Sequence, residues 1–437
     1  MSETTITPIT DKATIDAQYR YWRVRVMYGM MGGYALYYFV RKNISMASKA
    51  ITDEFGFTNT QWGIVLSVAT IVYAFSKFFS GILADRVNPK YLMSIGLLAS
   101  AIVNIFFGFG NGLTFFIVVW AINNLFQGAG MPPCSRLLTT WFAPKELGSA
   151  WGIWNASHQI GGAVIVVWAG YLVAHQGWRA AFWIPGALSL VGAFWLFNRL
   201  TSSPEAMGLP PVEVYKGESA VPAKKDAGPF WAIFRKYILG NKWVWIVSIA
   251  NFFVYIVRIG IMDWAPKYLQ EAKGFDIKQA SYALSGFEIA GIFGAIASGW
   301  ISDKIFKGRR GPVSVFFMLL LIVGVGILFY VPSGQLWMMA GIFIALGFLV
   351  YGPQLLVAVA AADFATKQAA SSAVGLTGLL GYMGASVCGI TTGALVDRYG
   401  WNAAIVFYFI SAIAGCLLLA LTWFKSAHNA TPDSVHT

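Results

Sequence analysis

About twelve apolar stretches run through this chain, each near the roughly 20 residues that a helix needs to cross the ~30 Å hydrocarbon layer of a bilayer. Inside lipid no water is present to satisfy backbone N–H and C=O groups, so such stretches must fold as helices. Of 437 residues, 57% are hydrophobic and only 11% charged. A compact soluble domain cannot cover that much apolar surface. The expected fold is therefore an all-α polytopic membrane protein, with spans near 24–47, 62–83, 92–110, 113–135, 148–174, 180–199, 242–269, 281–302, 312–331, 336–358, 368–396 and 402–424.

The net charge of +12 would suggest nucleic acid in a soluble protein, but here the basic residues follow loop parity. Arg20, Arg23 and Arg25 precede span one, Arg86 and Lys90 follow span two, Arg136 and Lys145 follow span four, and Lys304, Lys307, Arg309 and Arg310 follow span eight. Alternate loops are poorer: 111–112 and 332–335 hold no Lys or Arg, and 175–179 has only Arg179. By the positive-inside rule both termini are expected in the cytoplasm, with no nucleic-acid partner. The first 20 residues lack the apolar core of a signal peptide, so span one itself is expected to direct insertion. Cys134, Cys388 and Cys416 fall in spans without paired spacing, which suggests small core residues and neither a disulfide nor a metal site.

The longest hydrophilic segment, Thr201 to Asn241, contains Ser202-Ser203-Pro204, Pro210-Pro211 and Lys224-Lys225-Asp226. It reads as a cytoplasmic linker, ordered in part at most, between two bundles: residues 1–200 and 242–437, the second ending in a short tail. The flanking halves repeat. Ser80-Gly81 through Asp85-Arg86 matches Ser298-Gly299 through Asp303-Lys304, and Gly177-Trp178 matches Gly400-Trp401. Tyr38-Phe39-Val40-Arg41 likewise matches Tyr255-Ile256-Val257-Arg258. Two six-helix, pseudo-symmetric bundles with a substrate site between them near mid-membrane follow from these repeats.

The paired arginines point to the chemistry. A charge in an apolar run is expensive and usually functional. Guanidinium stays charged at physiological pH and presents a planar fork that fits two oxygens of a phosphate. Two such forks facing one cavity suit a dianion; otherwise each arginine would pair with an acid such as Asp263 or snorkel to the interface. Tyr34, Tyr38 and Arg41 share one helix face by their spacing. His158 and Lys77 are further donors within spans, and Tyr255 repeats Tyr38. Glu288 is the acid in span eight, and with Asp263 it is assigned to coupling or charge balance. Gly81, Asp85 and Arg86, repeated as Gly299, Asp303 and Lys304, read as a gating latch away from the substrate, or else as a topology signal. No nucleotide-binding loop, metal-ligand cluster or nucleophile–base spacing occurs, so neither an enzyme nor a cofactor is expected.

Several segments resemble a known family. They are Gly33 through Asn43, Phe126-Gln127-Gly128-Ala129-Gly130-Met131-Pro132-Pro133-Cys134, Trp154 through His158, Val254 through Arg258, Asp263-Trp264-Ala265-Pro266 and Tyr351-Gly352-Pro353-Gln354. On these residues the chain resembles the major facilitator superfamily and, within it, the organophosphate:phosphate antiporters. The resemblance implies exchange of inorganic phosphate for an organic phosphate ester, such as glycerol-3-phosphate or a sugar phosphate, by alternating access in a bacterial inner membrane. It implies Arg41 and Arg258 as phosphate ligands, with supporting roles for Tyr38, Lys77, His158 and Tyr255, and it puts Glu288 at the position of the family's span-eight acid. A monomer is expected.

Asp263 through Leu269 and Gly208-Leu209-Pro210-Pro211 look like the glycerol-3-phosphate branch. Met131 through Thr139 and Gly352-Pro353-Gln354 resemble the hexose-phosphate sensor branch, in which a transporter-like receptor signals to a membrane histidine kinase. Residues 375–381 lack the Asp/Lys pair of the dedicated hexose-phosphate transporter. Two alternatives stand beside the antiporter: a sensor of hexose phosphate working through a kinase, and a proton-coupled organic anion symporter in which Glu288 or His158 carries the proton.

Overall fold

The computed structural model describes residues 9–143, 145–217, 234–365 and 369–425. Among them the spans are helices. Span one is Lys12–Phe39 continued, after a break, by Asn43–Phe55. Spans two and three are Asn59–Arg86 and Pro89–Phe107. Span four is Leu113–Gln127 followed by Met131–Trp141, and spans five and six are Leu147–Gln176 and Ala180–Arg199. Spans seven to twelve are Lys242–Glu271, Ile277–Lys304, Arg310–Ile327, Leu336–Phe364, Ala370–Tyr399 and Trp401–Ala420. Eleven of the twelve are long and apolar enough to cross a membrane by composition alone. Span one falls outside that set because its helix starts at Lys12 and carries Asp16, Arg20, Arg23 and Arg25 before the apolar part.

Two spans that read as continuous in the sequence are broken. Span one breaks at Val40–Lys42, in the middle of the expected 24–47 helix. Span four breaks at Gly128–Gly130, and its second helix starts with Pro132 and Pro133 in the first turn, where a missing N–H costs nothing.

The pseudo-symmetry extends to local chemistry. Thr58 and Gln61 form a capping box at the start of span two, and Asp276 and Gln279 form the same box at the start of span eight. Gly177 and Gly400 end spans five and eleven at φ +85° and +77°, a region open to glycine without strain. The tryptophan after each meets an acid of its own half: Trp178 Nε1 donates to Glu54 at 2.6 Å, and Trp401 Nε1 to Glu271 at 3.0 Å. That shared contact gives the repeated Gly-Trp its physical meaning.

Part of the central linker is fixed. Leu209 and Val212 are buried with Tyr19 and Trp141 of the first bundle, Tyr19 stacks on Tyr215 at 3.9 Å, and Glu146 pairs with both Arg23 (2.5 Å) and Lys216 (2.9 Å). Residues through 217 therefore belong structurally to the end of the first bundle, and Lys224-Lys225-Asp226 lies outside the described residues. Cys134, Cys388 and Cys416 are free and buried.

The two bundles meet at the end opposite the linker. Asp397 of span eleven accepts from the backbone N–H groups of Asn59 and Thr60 (2.9 and 2.7 Å) and from both side chains, so it caps span two from the other bundle, where an anion suits a helix N-terminus. Ser67 Oγ donates to the Ser386 carbonyl at 2.6 Å, and Ser386 Oγ returns a bond to the Ser67 carbonyl at 3.0 Å. Trp264 of span seven packs among Ile44, Ala47 and Trp62 of the first bundle. Toward the linker end the same helices carry Gly81, Gly148, Gly152, Gly299, Gly375 and Gly378, where an added Cβ would meet no atom within 4 Å. A cleft of about 710 Å³ lies at that end, lined by Arg20, Val24, Met27 and Met31 of span one together with Phe142 and Ile153. The bundles are thus sealed against each other at the end opposite the linker, and at the linker end the first bundle carries an open cleft.

The seal depends on backbone contact, since a Cβ on Gly63 would overlap the Gly389 carbonyl. Overpacking of this kind costs about 1–3 kcal/mol, so Gly63→Val is expected to deplete the sealed state roughly tenfold. Disulfide trapping between Thr60→Cys and Asp397→Cys measures that population, and unchanged trapping in Gly63→Val would show that the crossing does not depend on the glycines.

Candidate functional site

The break in span one turns two consecutive cations in different directions. Arg41 places its guanidinium over the Tyr73 ring at 3.8 Å and near Tyr38 at 5.7 Å. Lys42 is buried and pairs with Asp263 of span seven at 2.8 Å, across the bundle interface. Asp263, the acid considered in the sequence as a partner for an arginine, is thus taken by Lys42.

Arg258 sits in the unbroken helix of span seven, 7% exposed. Its Nη2 donates to the Tyr351 hydroxyl at 2.9 Å, and that hydroxyl donates to Glu288 at 2.5 Å. Glu288 is fully buried against Gly162 of span five. Its other carboxylate oxygen, and Arg258 Nε, have no hydrogen-bond partner. Among the described residues neither Arg41 nor Arg258 makes an ion pair, because the acid closest to Arg258 is reached through Tyr351.

The remaining donors gather around these two. Tyr34 stacks on Trp154 at 4.9 Å and lies 5.6 Å from Tyr38, and His158 lies 5.5 Å from Tyr38. The Tyr38 hydroxyl is within range of the charge of both arginines, so Arg41 of the first bundle and Arg258 of the second both lie near Tyr38. Lys77 Nζ sits over the Tyr382 ring at 5.2 Å. Tyr382 touches Tyr73 of span two at 5.0 Å and Tyr255 of span seven at 5.3 Å, so one ring of span eleven joins the two bundles at the centre. Cations on a ring face gain about 0.5–2 kcal/mol each. Such faces solvate Arg41 and Lys77 without neutralising them.

Of the site residues read from the sequence, Tyr34, Tyr38, Arg41, Lys77, His158, Tyr255, Arg258 and Glu288 come together. Asp263 lies at the sealed end. The latch residues are remote from the cavity, and their contacts stay within each bundle. Asp303 is exposed and pairs with Arg310, which also reaches Asp363 at 3.2 Å. Asp85, Arg86 and Lys304 are exposed. An added Cβ at Gly81 or Gly299 would meet no atom within 4 Å in this state. The structure adds Tyr73, Tyr351, Tyr382 and Lys42. Tyr351 and Lys42 belong to segments already singled out in the sequence, whereas a lone tyrosine in an apolar run reads as core.

One face of span one runs from the linker end to this centre. Arg20, Val24, Met27 and Met31 line the open cleft, and Tyr34, Tyr38 and Arg41 continue them at spacings of three and four.

Comparison with known proteins now decides the family. Residues 30–388 match the Major Facilitator Superfamily. A probable hexose phosphate transport protein of Chlamydia pneumoniae is 39% identical over 99% of this chain and 97% of its own. The membrane sensor protein UhpC of Escherichia coli is 39% identical over 96% of each chain, and a glycerol-3-phosphate transporter of Bacillus subtilis is 38% identical over 94% of this chain and 95% of its own. The chain belongs to the organophosphate:phosphate antiporter family of the major facilitator superfamily. That family consists of transport proteins and their relatives, not enzymes. Among solved structures, a bacterial homologue of the human lysosomal transporter Spinster, inward-facing and unoccupied, superposes with a TM-score of 0.75 at 17% identity, covering 92% of this chain and 96% of that one. That likeness concerns the fold.

The link from Arg258 through Tyr351 to Glu288 carries a prediction. Tyr351→Phe removes the hydroxyl and leaves a buried carboxylate without a partner, at a cost of about 1–3 kcal/mol. The thermal midpoint of the purified protein should fall, and the fall should shrink when Glu288→Gln is combined with it. Additive losses would mean that the two side chains are not energetically linked.

Proposed function

We propose that the chain is a secondary transporter that exchanges an organic phosphate ester for inorganic phosphate by alternating access. The observation that carries this reading is a pair of cavity arginines at repeated positions, one per bundle, neither neutralised by an ion pair. Counted formally with His158 neutral, Arg41, Arg258 and Lys77 against Glu288 leave a charge of +2 at the centre. A phosphate or phosphate monoester dianion neutralises that charge. The names of the relatives, which cover hexose phosphate, glycerol-3-phosphate and phosphoglycerate, agree with a phosphate ester as the organic partner.

Exchange follows from electrostatics. To reorient, the centre must lose contact with the water of the open cleft. Burying an unmatched pair of cations costs several kcal/mol per ion, whereas the neutralised, loaded centre escapes most of that penalty. A carrier built this way crosses readily only when loaded, which couples ester movement to phosphate movement. The dianion also bridges Arg41 of one bundle and Arg258 of the other, drawing the open end together while the contacts of Asp397 and the Lys42–Asp263 pair part at the sealed end. With both termini and the linker in the cytoplasm, as the loop charges favour, the present state is open inward.

A second reading rests on one observation, the similarity to the sensor UhpC over nearly the whole chain. In that reading the site binds an ester and signals to a membrane kinase.

Proteoliposomes loaded with phosphate separate the two. Rapid uptake of labelled phosphate, competed by one of glycerol-3-phosphate, glucose-6-phosphate and 3-phosphoglycerate, is the expected result. Ester binding without exchange would instead support the sensor. Arg41→Lys and Arg258→Lys keep the charge and lose the fork, and each should lower exchange at least ~100-fold, equivalent to about 2.7 kcal/mol, with membrane insertion intact. Near-normal exchange in either variant would remove the phosphate-clamp reading.

A further inference from the structure

Span one breaks at Arg41, and its counterpart, span seven, runs unbroken through Arg258. At the break the Arg41 N–H bonds to the Tyr38 carbonyl at 3.2 Å, one residue short of the regular helical partner, Tyr37. The turn thereby frees the carbonyls of Tyr37 and Val40, in a place where an unpaired backbone group is costly. Two side-chain amides of span four occupy them. Gln127 Nε2 donates to the Tyr37 carbonyl at 3.1 Å, and Asn123 Nδ2 donates to the Val40 carbonyl at 2.9 Å. Ser100 of span three ties the two together, accepting from Gln127 and donating to Asn123 Oδ1, both at 2.7 Å. All three side chains are buried. Beyond the break, Asn43 Nδ2 donates to Asn104 Oδ1 at 3.0 Å and to the Ala181 carbonyl at 2.9 Å.

The second bundle supplies an internal control. The repeats are displaced by about 217–223 positions, which sets Asn123 and Gln127 against residues 340–350 of span ten. Those residues, Ala340 through Val350, are all apolar or glycine. Amides are present where the arginine-bearing helix breaks and missing where it does not.

We infer that Asn123, Gln127 and Ser100 are positioning residues for substrate phosphate: they hold the break that turns Arg41 into the cavity over Tyr73 and sends Lys42 to Asp263. The inference rests on the reading of Arg41 as a phosphate ligand. Without the amides the freed carbonyls are recovered by restoring regular helix, which rotates residue 41 by part of a turn away from its present direction. The N-terminal half of the phosphate site is therefore set by residues that never touch phosphate.

The test measures the direction of residue 41 separately from binding. In full-length protein in lipid nanodiscs, Gln127→Met and Asn123→Leu should each weaken binding of inorganic phosphate and of glycerol-3-phosphate about tenfold, or about 1.4 kcal/mol. In an Arg41→Cys background the same changes should slow modification by an anionic methanethiosulfonate at least ~5-fold, while the thiol of Arg258→Cys reacts at an unchanged rate. Ser100→Ala, a smaller change, serves if the amide variants fail to assemble, and should move both readings in the same direction. Unaltered reactivity of the Arg41→Cys thiol, or equal slowing of the Arg258→Cys thiol, overturns the positioning role. Full phosphate affinity in Arg41→Lys would overturn the reading of Arg41 as a ligand, while the Arg41→Cys modification rates would still decide whether the amides set its direction.

Discussion

A cation held inside an apolar layer must be compensated, and the form of that compensation organises this protein. Lys42 is compensated by a carboxylate, Asp263, so it joins the two bundles at the sealed end. Arg41 and Lys77 are compensated by tyrosine faces, and Arg258 by a tyrosine hydroxyl relayed to Glu288. Aromatic faces and hydroxyls lower the cost of a buried charge without cancelling it. The centre therefore keeps the charge that an anion can use. Had Arg258 met Glu288 directly, the pair would be self-sufficient and a ligand would have to break it.

The same logic separates the seal from the site. Contacts at the sealed end are short and reciprocal: an acid on a helix N-terminus, two serines exchanging bonds with each other's backbone, and glycine against glycine. None of them uses a charge that the centre needs. Individually they are modest, about 0.5–1.5 kcal/mol for an ordinary hydrogen bond and more for a charged one. A set of that size can hold one state against the other and still be reversed by a ligand whose affinity for the two states differs by a few kcal/mol.

Much of this was legible in the sequence. Spans five to eight fall within a few residues of their expected limits, because apolar length reports a bilayer directly. Arg41, Arg258 and Glu288 stood out because a charge in an apolar run has few innocent explanations. Tyr73 and Tyr382 did not stand out, and Tyr351 did so only within a family-like segment, without a role. A tyrosine fits a packed helix interface as well as a cavity wall, and only helix placement separates the two. The break in span one was also hidden. Phe39-Val40-Arg41-Lys42-Asn43 holds no proline or glycine, and the break is stabilised from outside by Asn123 and Gln127, which lie 83 and 90 positions from the carbonyls they bind. A helix that bends for tertiary reasons leaves no local signal. For the same reason Lys42 was not legible as the partner of Asp263, because in a regular helix Arg41 and Lys42 would not diverge as they do here.

The breaks make the two bundles unequal partners in a pseudo-symmetric frame. Capping boxes, Gly-Trp turns and the Trp–Glu contacts repeat because both bundles solve the same problem of beginning and ending helices at a membrane face. The centre departs from that symmetry: Arg41 hangs from a break over an aromatic ring, half-buried, while Arg258 is set in a regular helix and wired to an acid. A phosphate ester is itself unsymmetrical, with a charged head and an uncharged body. Two identical arms would grip the head equally well in orientations that send the body in opposite directions. For the substrate proposed above, one arm at a helix break and one set in a regular helix would distinguish those orientations, breaking the symmetry of the scaffold at the one place where such a ligand lacks it.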